Sequence, residues 1–446
     1  MTQHPAAPEE REPRAPTGAQ APQAEAPGPA PVLPNVLRFP RSSAVMGEGA
    51  HAGEVAHFGG PLREQRLLAQ GRAVADLQAV RVLTLTGPDA LSWLNSLTTQ
   101  KIDTLRPGQS TETLVLSPTG HIEHWLRIHD DGERLWLITD GDAAAALGFL
   151  ESMKFMMRVE LADVSADYQC LGFDAARLEA ARPDAERSGG RAGGGGPAGQ
   201  AAGTDRAQAA PASAAVPGGL PAAIVWADPW PEIGEGSASY AALDLGMPVA
   251  SPEHPGGEHA FRIAVCDRAA LADWDPAAAG LEVVGRDAWE ALRIEAWRPG
   301  LPEVDHKSLV GELDVLRTAV HLAKGCYRGQ EAVARIHNLG QPPRRLVFLH
   351  LDGSAHALPA PDAEVRAEVR GAVRAVGRIT SAALHHELGP IALALVKRSL
   401  PVDEQLLVEV DGGEVITAAP EPIVAAQREN RSGVPKINRD VDQRHR

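Results

Sequence analysis

Two hydrophobic periods alternate along the first half of the chain. Val80–Thr86 is a β-rich run closed by Gly87-Pro88-Asp89. Proline at a first helical position and an acid in the first turn start a helix, and Leu91, Leu94 and Leu97 follow as its apolar stripe. Thr113–Leu116 and Ile122–Ile128 flank Pro118-Thr119-Gly120, which predicts a hairpin. Ile122, His124, Leu126 and Ile128 alternate along its second arm, so one face is predicted to be buried. Arg134–Thr139 reads as another strand. Residues 142–157 read as a helix with Leu147, Leu150 and Met153 on one side. Further on, Phe261–Val265 is a strand, and Trp289, Leu292 and Ala296 share a helical face that ends at Pro299-Gly300. Beyond residue 345 the pattern becomes short β runs: Leu346–Leu351, Val376–Thr380, Ile391–Lys397 and Leu406–Val410. Turn residues separate them, which predicts a small barrel or sandwich. The mixture favours the α+β class.

Composition interrupts this pattern in three places. Residues 1–40 carry ten prolines among Ala, Glu and Gln, too little apolar surface to offset ordering entropy, so disorder is predicted. Residues 185–217, centred on Gly193–Gly196, read as a Gly/Ala-rich linker, and 425–446 as a polar tail. Three folded blocks remain, 41–175, 218–345 and 346–424, with no internal repeat. The 44 glycines and 36 prolines in 446 residues exceed the usual share of about 12%, in keeping with these breaks.

Charge and cysteine usage narrow the class. Lys+Arg 43 against Asp+Glu 58 gives −15, which disfavours a general nucleic-acid or anionic-membrane partner. No apolar run reaches about 18 residues, so no transmembrane helix is expected. The first residues carry Pro and Glu where a signal peptide needs an apolar stretch. Cysteines at 170, 266 and 326 cannot build a disulfide framework or a Cys₄ metal centre. No stably bound metal is predicted. The simplest expectation is a reducing cytoplasm.

Candidate chemistry concentrates in Lys324-Gly325-Cys326-Tyr327-Arg328-Gly329-Gln330-Glu331. Gly325 and Gly329 permit tight or left-handed backbone around Cys326. Good helix formers from Gln330 to Ile336 place the cysteine just before a helix N-terminus. That position, with Lys324 and Arg328 beside it, suits a reactive or ligand-exchanging thiol; the competing reading is an inert cysteine in a tight turn. Cys170 and Cys266 lie in apolar strand contexts and read as core. His121, His124 and His129 surround the hairpin, and His385-His386-Glu387 a turn, without the spacing of a zinc site. Gly189–Gly196 follows no strand and opens no helix, so it is not a dinucleotide fingerprint.

The Lys-Gly-Cys-Tyr-x-Gly-Gln-Glu segment, followed by Val333-Ala334-Arg335, resembles the signature of YgfZ-type folate-binding proteins, relatives of the glycine-cleavage aminomethyltransferase (T-protein). Leu85–Ala90, Leu94–Leu97, Leu105–Gln109, Arg293–Ala296 and Val376–Ser381 resemble further family markers, so the likeness runs over roughly 60–425. It implies three domains around a central channel with a small C-terminal β-barrel, and tetrahydrofolate as cofactor. It implies a factor that supports assembly or repair of iron–sulfur clusters in client enzymes through Cys326. The alternative is a folate-dependent aminomethyl or one-carbon transferase. The likeness marks Lys324, Gly325, Tyr327, Gly329, Gln330, Glu331 and Arg335 as signature positions, and matches Glu258 and Arg293 to folate contacts. Aminomethyltransferases carry an Asp where Lys101 stands here, with Asp103 two residues on. An amine in place of that carboxylate argues against glycine-cleavage activity. Only six lysines among the basic residues, with abundant Ala, Gly and Pro, suggest a GC-rich bacterial genome.

Overall fold

The computed structural model describes residues 37, 43–47, 52–181, 216–251, 253–410 and 412–427. The disorder expected for 1–40 lies outside the described residues except at Leu37, which is buried in a hydrophobic core; most of the proposed linker and tail also lie outside them. The predicted strand and helix pair is present as Arg81–Thr86 and Ala90–Leu97. Trp93, Leu94 and Leu97 bury the helix against the sheet, with Leu91 partly buried beside them. That sheet has five antiparallel strands in the order Ser110–Leu116, Ile122–Asp130, Leu135–Thr139, Arg81–Thr86, Glu160–Asp163.

The hairpin departs from simple alternation. Val115 pairs with His124, but Leu116 pairs with Ile122, so the strand bulges at Glu123. The extra residue turns Ile122 to the opposite side from Leu126 and Ile128. Ile122 and Trp125 enter one core, while Leu126 and Ile128 enter another. The helix expected over 142–157 is shorter, Ala143–Ser152. Met153 is half exposed, and Phe155 and Met156 stand in solvent.

A second five-stranded sheet runs Ala222–Ala227, Phe261–Asp267, Tyr168–Asp174, Ala73–Asp76, Glu282–Val284, with only the last pair parallel. Two of its strands come from the 41–175 block and three from the 218–345 block. The two blocks therefore share a sheet and a core. The Arg286–Glu295 helix packs Trp289 and Leu292 on that sheet. The C-terminal part closes into a six-stranded barrel of Arg344–Leu351, Gly389–Lys397, Ala372–His385, Glu364–Val369, Leu406–Glu409 and Val415–Pro422. The α+β class with a small C-terminal barrel matches the expectation. A central core of Leu114, Trp125, Ile294, Trp297, Tyr327 and Phe348 joins both sheets' connections to the barrel.

Candidate functional site: a braced thiol loop and a buried polar junction

The signature loop is held by its flanks. The Ala90–Leu97 helix leaves its last carbonyls without intrahelical partners. Lys324 reaches one of them and the carbonyls just beyond: its Nζ donates to the carbonyls of Asn95 (2.6 Å), Thr98 (2.6 Å) and Gln100 (2.8 Å). Burial pushes this ammonium down to about 8. Arg328 Nη1 pairs with Glu123 Oε2 at 2.7 Å, at the hairpin bulge. The two flanking cations are thus committed to neighbouring elements and brace the loop around Cys326. Tyr327 is buried beneath it, 5.4 Å from Lys324 Nζ, and burial pushes its phenol up to about 12.

Gly329 and Gly325 differ in their need for glycine. Gly329 has φ +83, and a Cβ there would lie 2.6 Å from the Ser117 carbonyl oxygen, so this position requires glycine. Gly325 has no such φ and has open space where a Cβ would stand, so of the two glycines only Gly329 takes up left-handed backbone. Gln330 opens the Gln330–Leu339 helix and reaches back, Nε2 to Lys324 O at 3.2 Å. Glu331 lies in its first turn, and Glu331 and Arg335 are exposed. Cys326, two residues beyond Lys324, is exposed; Cys170 and Cys266 are fully buried. Burial pushes the Cys170 thiol up to about 12 and raises Cys266 as well.

The positions matched to folate contacts do not converge. Glu258 ends a short helical turn with its side chain 73% exposed, 3.3 Å from Arg177. Arg293 is buried: Nε donates to Glu290, Nη1 to Arg298 O and Glu303, and Nη2 to Ser381. It links the Arg286–Glu295 helix to the barrel and offers no spare donor. Lys101 pairs with Asp103 at 2.7 Å at the surface.

A different cluster, missed from sequence, occupies the junction between the first sheet, the second sheet's loops and the 297–318 segment. Glu112 is fully buried; its Oε2 accepts from Trp125 Nε1 (2.8 Å) and Arg298 Nη2 (2.7 Å). Arg298 Nε donates to Asp228 at 3.0 Å, and its guanidinium lies over the rings of Trp125 (5.5 Å) and Trp230 (5.3 Å). Burial works to raise the Glu112 carboxyl, but Arg298, with the Thr318 hydroxyl beside it, holds it below the usual range. His254 stands edge-on to Trp230 and Trp297. Buried polar atoms without partners gather here: Glu112 Oε1, Arg298 Nη1 and His254 Nε2. An open acceptor and open donors among tryptophan rings suit a flat ligand with complementary edge groups. The sequence signal was slight: one Glu in the strand run Ser110–Leu116, and Arg298 after Trp297.

Among the described residues no helix is long and apolar enough to cross a membrane, and no group of three or more His, Cys, Asp or Glu could hold a metal ion.

Residues 344–422 match the glycine cleavage T-protein C-terminal barrel domain. The chain is 30% identical over 169 residues to "tRNA-modifying protein YgfZ" of Edwardsiella ictaluri (strain 93-146), covering 37% of this chain and 50% of that protein. It is 29% identical over 136 residues to the protein of the same name from Yersinia enterocolitica serotype O:8 / biotype 1B, covering 30% and 41%. The match thus spans half or less of the length of these curated relatives. The glycine cleavage system aminomethyltransferase T from Bartonella henselae superposes with a TM-score of 0.58 at 16% identity, covering 85% of this chain and 94% of that one. That likeness carries the fold. The chain thus has the aminomethyltransferase fold with a T-protein C-terminal barrel domain, and over part of its length it is similar to proteins named YgfZ.

Proposed function

We propose that the protein is a tetrahydrofolate-binding factor that supports assembly or repair of iron–sulfur clusters, with Cys326 as a transient thiol. The observation that carries this reading is the exposure of Cys326 on a loop braced at both sides, while the two other cysteines are buried. A rigidly presented thiol is a soft ligand for iron and can be exchanged with a client. The relatives' name, tRNA-modifying protein, fits a client enzyme that modifies tRNA. The protein's negative charge argues against its gripping the RNA itself.

For the folate, the junction fits better than the positions matched by motif. Glu112 Oε1 can accept from ring and amino N–H groups of the pterin, Arg298 Nη1 can donate to its oxygen, and Trp125 and Trp230 offer flat contact. The transferase alternative finds less support, since Lys101 neutralises the nearby Asp103 carboxylate.

Tetrahydrofolate should raise the melting temperature of the full chain. Glu112→Gln should weaken its binding by about 1.5–3 kcal/mol, the worth of a charge-assisted hydrogen bond, and Glu258→Ala should leave it unchanged. Equal binding by wild type and Glu112→Gln would remove the junction as the folate site. No binding to wild type would remove folate from the reading.

A further inference from the structure

One buried cation in the barrel has no counter-ion among the described residues. Along the Arg344–Leu351 strand, Val347, Leu349 and Leu351 point into the core that fills the barrel, whereas Leu346 and Phe348 face the central core. By the same alternation Arg345 points into the barrel's end. Its side chain is 1% exposed. Nη2 donates to the carbonyls of Leu400 (3.1 Å) and Pro401 (3.5 Å). Nε and Nη1 are buried and have no partner.

Three other buried arginines are treated differently. Arg293 is held by Glu290 and Glu303, Arg298 by Glu112 and Asp228, and Arg317 by Asp314. Arg345 has carbonyls alone. The charge beside it is a second cation, Arg398, bonded to the carbonyls of Pro342 and Ala425. Burial first, and Arg398 after it, pull Arg345 down to about 10, so it stays charged at neutral pH. A buried guanidinium with unpaired N–H groups is costly unless an anion completes it. Its planar fork matches a carboxylate or phosphate through two parallel hydrogen bonds, and barrel mouths are a common place for ligands.

We propose that the Arg345 end of the barrel binds an oxyanion, with Nε and Nη1 of Arg345 as paired donors and Arg398 as the second positive charge. The site is separate from the thiol loop and the Glu112 junction, and it does not depend on the function proposed above.

Thermal unfolding of the full chain tests it, titrated with inorganic phosphate and separately with acetate, at ionic strength held constant by sodium chloride. Wild type should show a saturable rise in melting temperature with at least one anion; which anion works distinguishes phosphate from carboxylate. Arg345→Met keeps volume without charge and should lose the saturable rise, keeping only the linear salting effect phosphate has on any protein. Arg345→Lys keeps the charge without the fork and should raise the half-saturating concentration about tenfold or more. No saturable rise in wild type, or the same rise in Arg345→Met, overturns the proposal. If Arg345→Met does not fold, an unchanged midpoint in Arg345→Lys overturns it.

Discussion

His254 accepts from the Gly256 N–H at 3.1 Å through Nδ1, with tryptophan rings on two sides. Burial, followed by the Arg317 charge, pulls it down to about 3. The unfolded chain therefore takes up a proton near pH 6.5 that the folded chain refuses until about pH 3. The stability this histidine contributes is complete above pH 6.5 and falls as pH drops, by about 1.4 kcal/mol per pH unit inside that window. Denaturant titrations at pH 7 and pH 5.5 should show His254→Gln losing roughly 1.4 kcal/mol less than wild type between the two. An identical loss in both would contradict this. The cysteines allow a second test at this scale. Iodoacetamide under native conditions should modify Cys326 first, with Cys170 and Cys266 reacting only on unfolding, because both are fully buried. Comparable labelling of Cys170, read by mass spectrometry, would contradict it. Cys326 was legible as a candidate in the sequence because its neighbours form a distinctive run. Glu112 was not: it lies just before the predicted Thr113–Leu116 run, and only the packed structure shows that it is buried.

At the scale of elements, Lys324 ties three pieces together: the end of the Ala90–Leu97 helix, the residues after it and the signature loop. Lys324→Met would leave those carbonyls buried without a donor. It should cost roughly 2–4 kcal/mol, by analogy with breaking one partner of a buried charged interaction. Denaturant unfolding measures this, and a loss below about 0.5 kcal/mol, typical of a surface change, would show that the stitch is not structural. Periodicity located the Ala90–Leu97 and Arg286–Glu295 helices and the longer strands around them, since apolar stripes at periods of two and 3.6 survive without knowledge of partners, but it did not show the Pro61–Ala69 helix or the short strands such as Ala73–Asp76. It misplaced Ile122, because the bulge at Glu123 depends on how Leu116 pairs. It also extended one helix over Met153, where apolar residues continue but the chain has left the core.

Across the molecule, the second sheet takes strands from both sides of the 182–215 stretch. A composition break marks where a chain can be interrupted, yet strand pairing over long sequence distances leaves no local signal, so blocks that read as separate prove to share a core. The barrel expectation holds because its strands are consecutive, although two of the six, Glu364–Val369 and Val415–Pro422, were not read. It joins the rest through Glu303, which accepts from Arg293, Gly300 N–H, Thr380 and Ser381. Arg293→Ala would strand that buried carboxylate and should cost roughly 3–5 kcal/mol. Its effect should therefore appear in unfolding midpoints ahead of any ligand affinity. A variant of wild-type stability with selectively lost folate binding would return Arg293 to the ligand.

The exposed thiol is the centre of the proposed function. The most direct measurement is the activity of iron–sulfur enzymes in a host lacking its own copy of this protein, complemented with wild type, Cys326→Ser or Cys326→Ala at matched folded levels. Serine keeps the size and a hydrogen bond but loses the soft ligand and the redox chemistry. Both variants should fold, since Cys326 is exposed and packs little, and neither should restore activity. Restoration by Cys326→Ser to the wild-type level would show that the thiol is not what the protein uses.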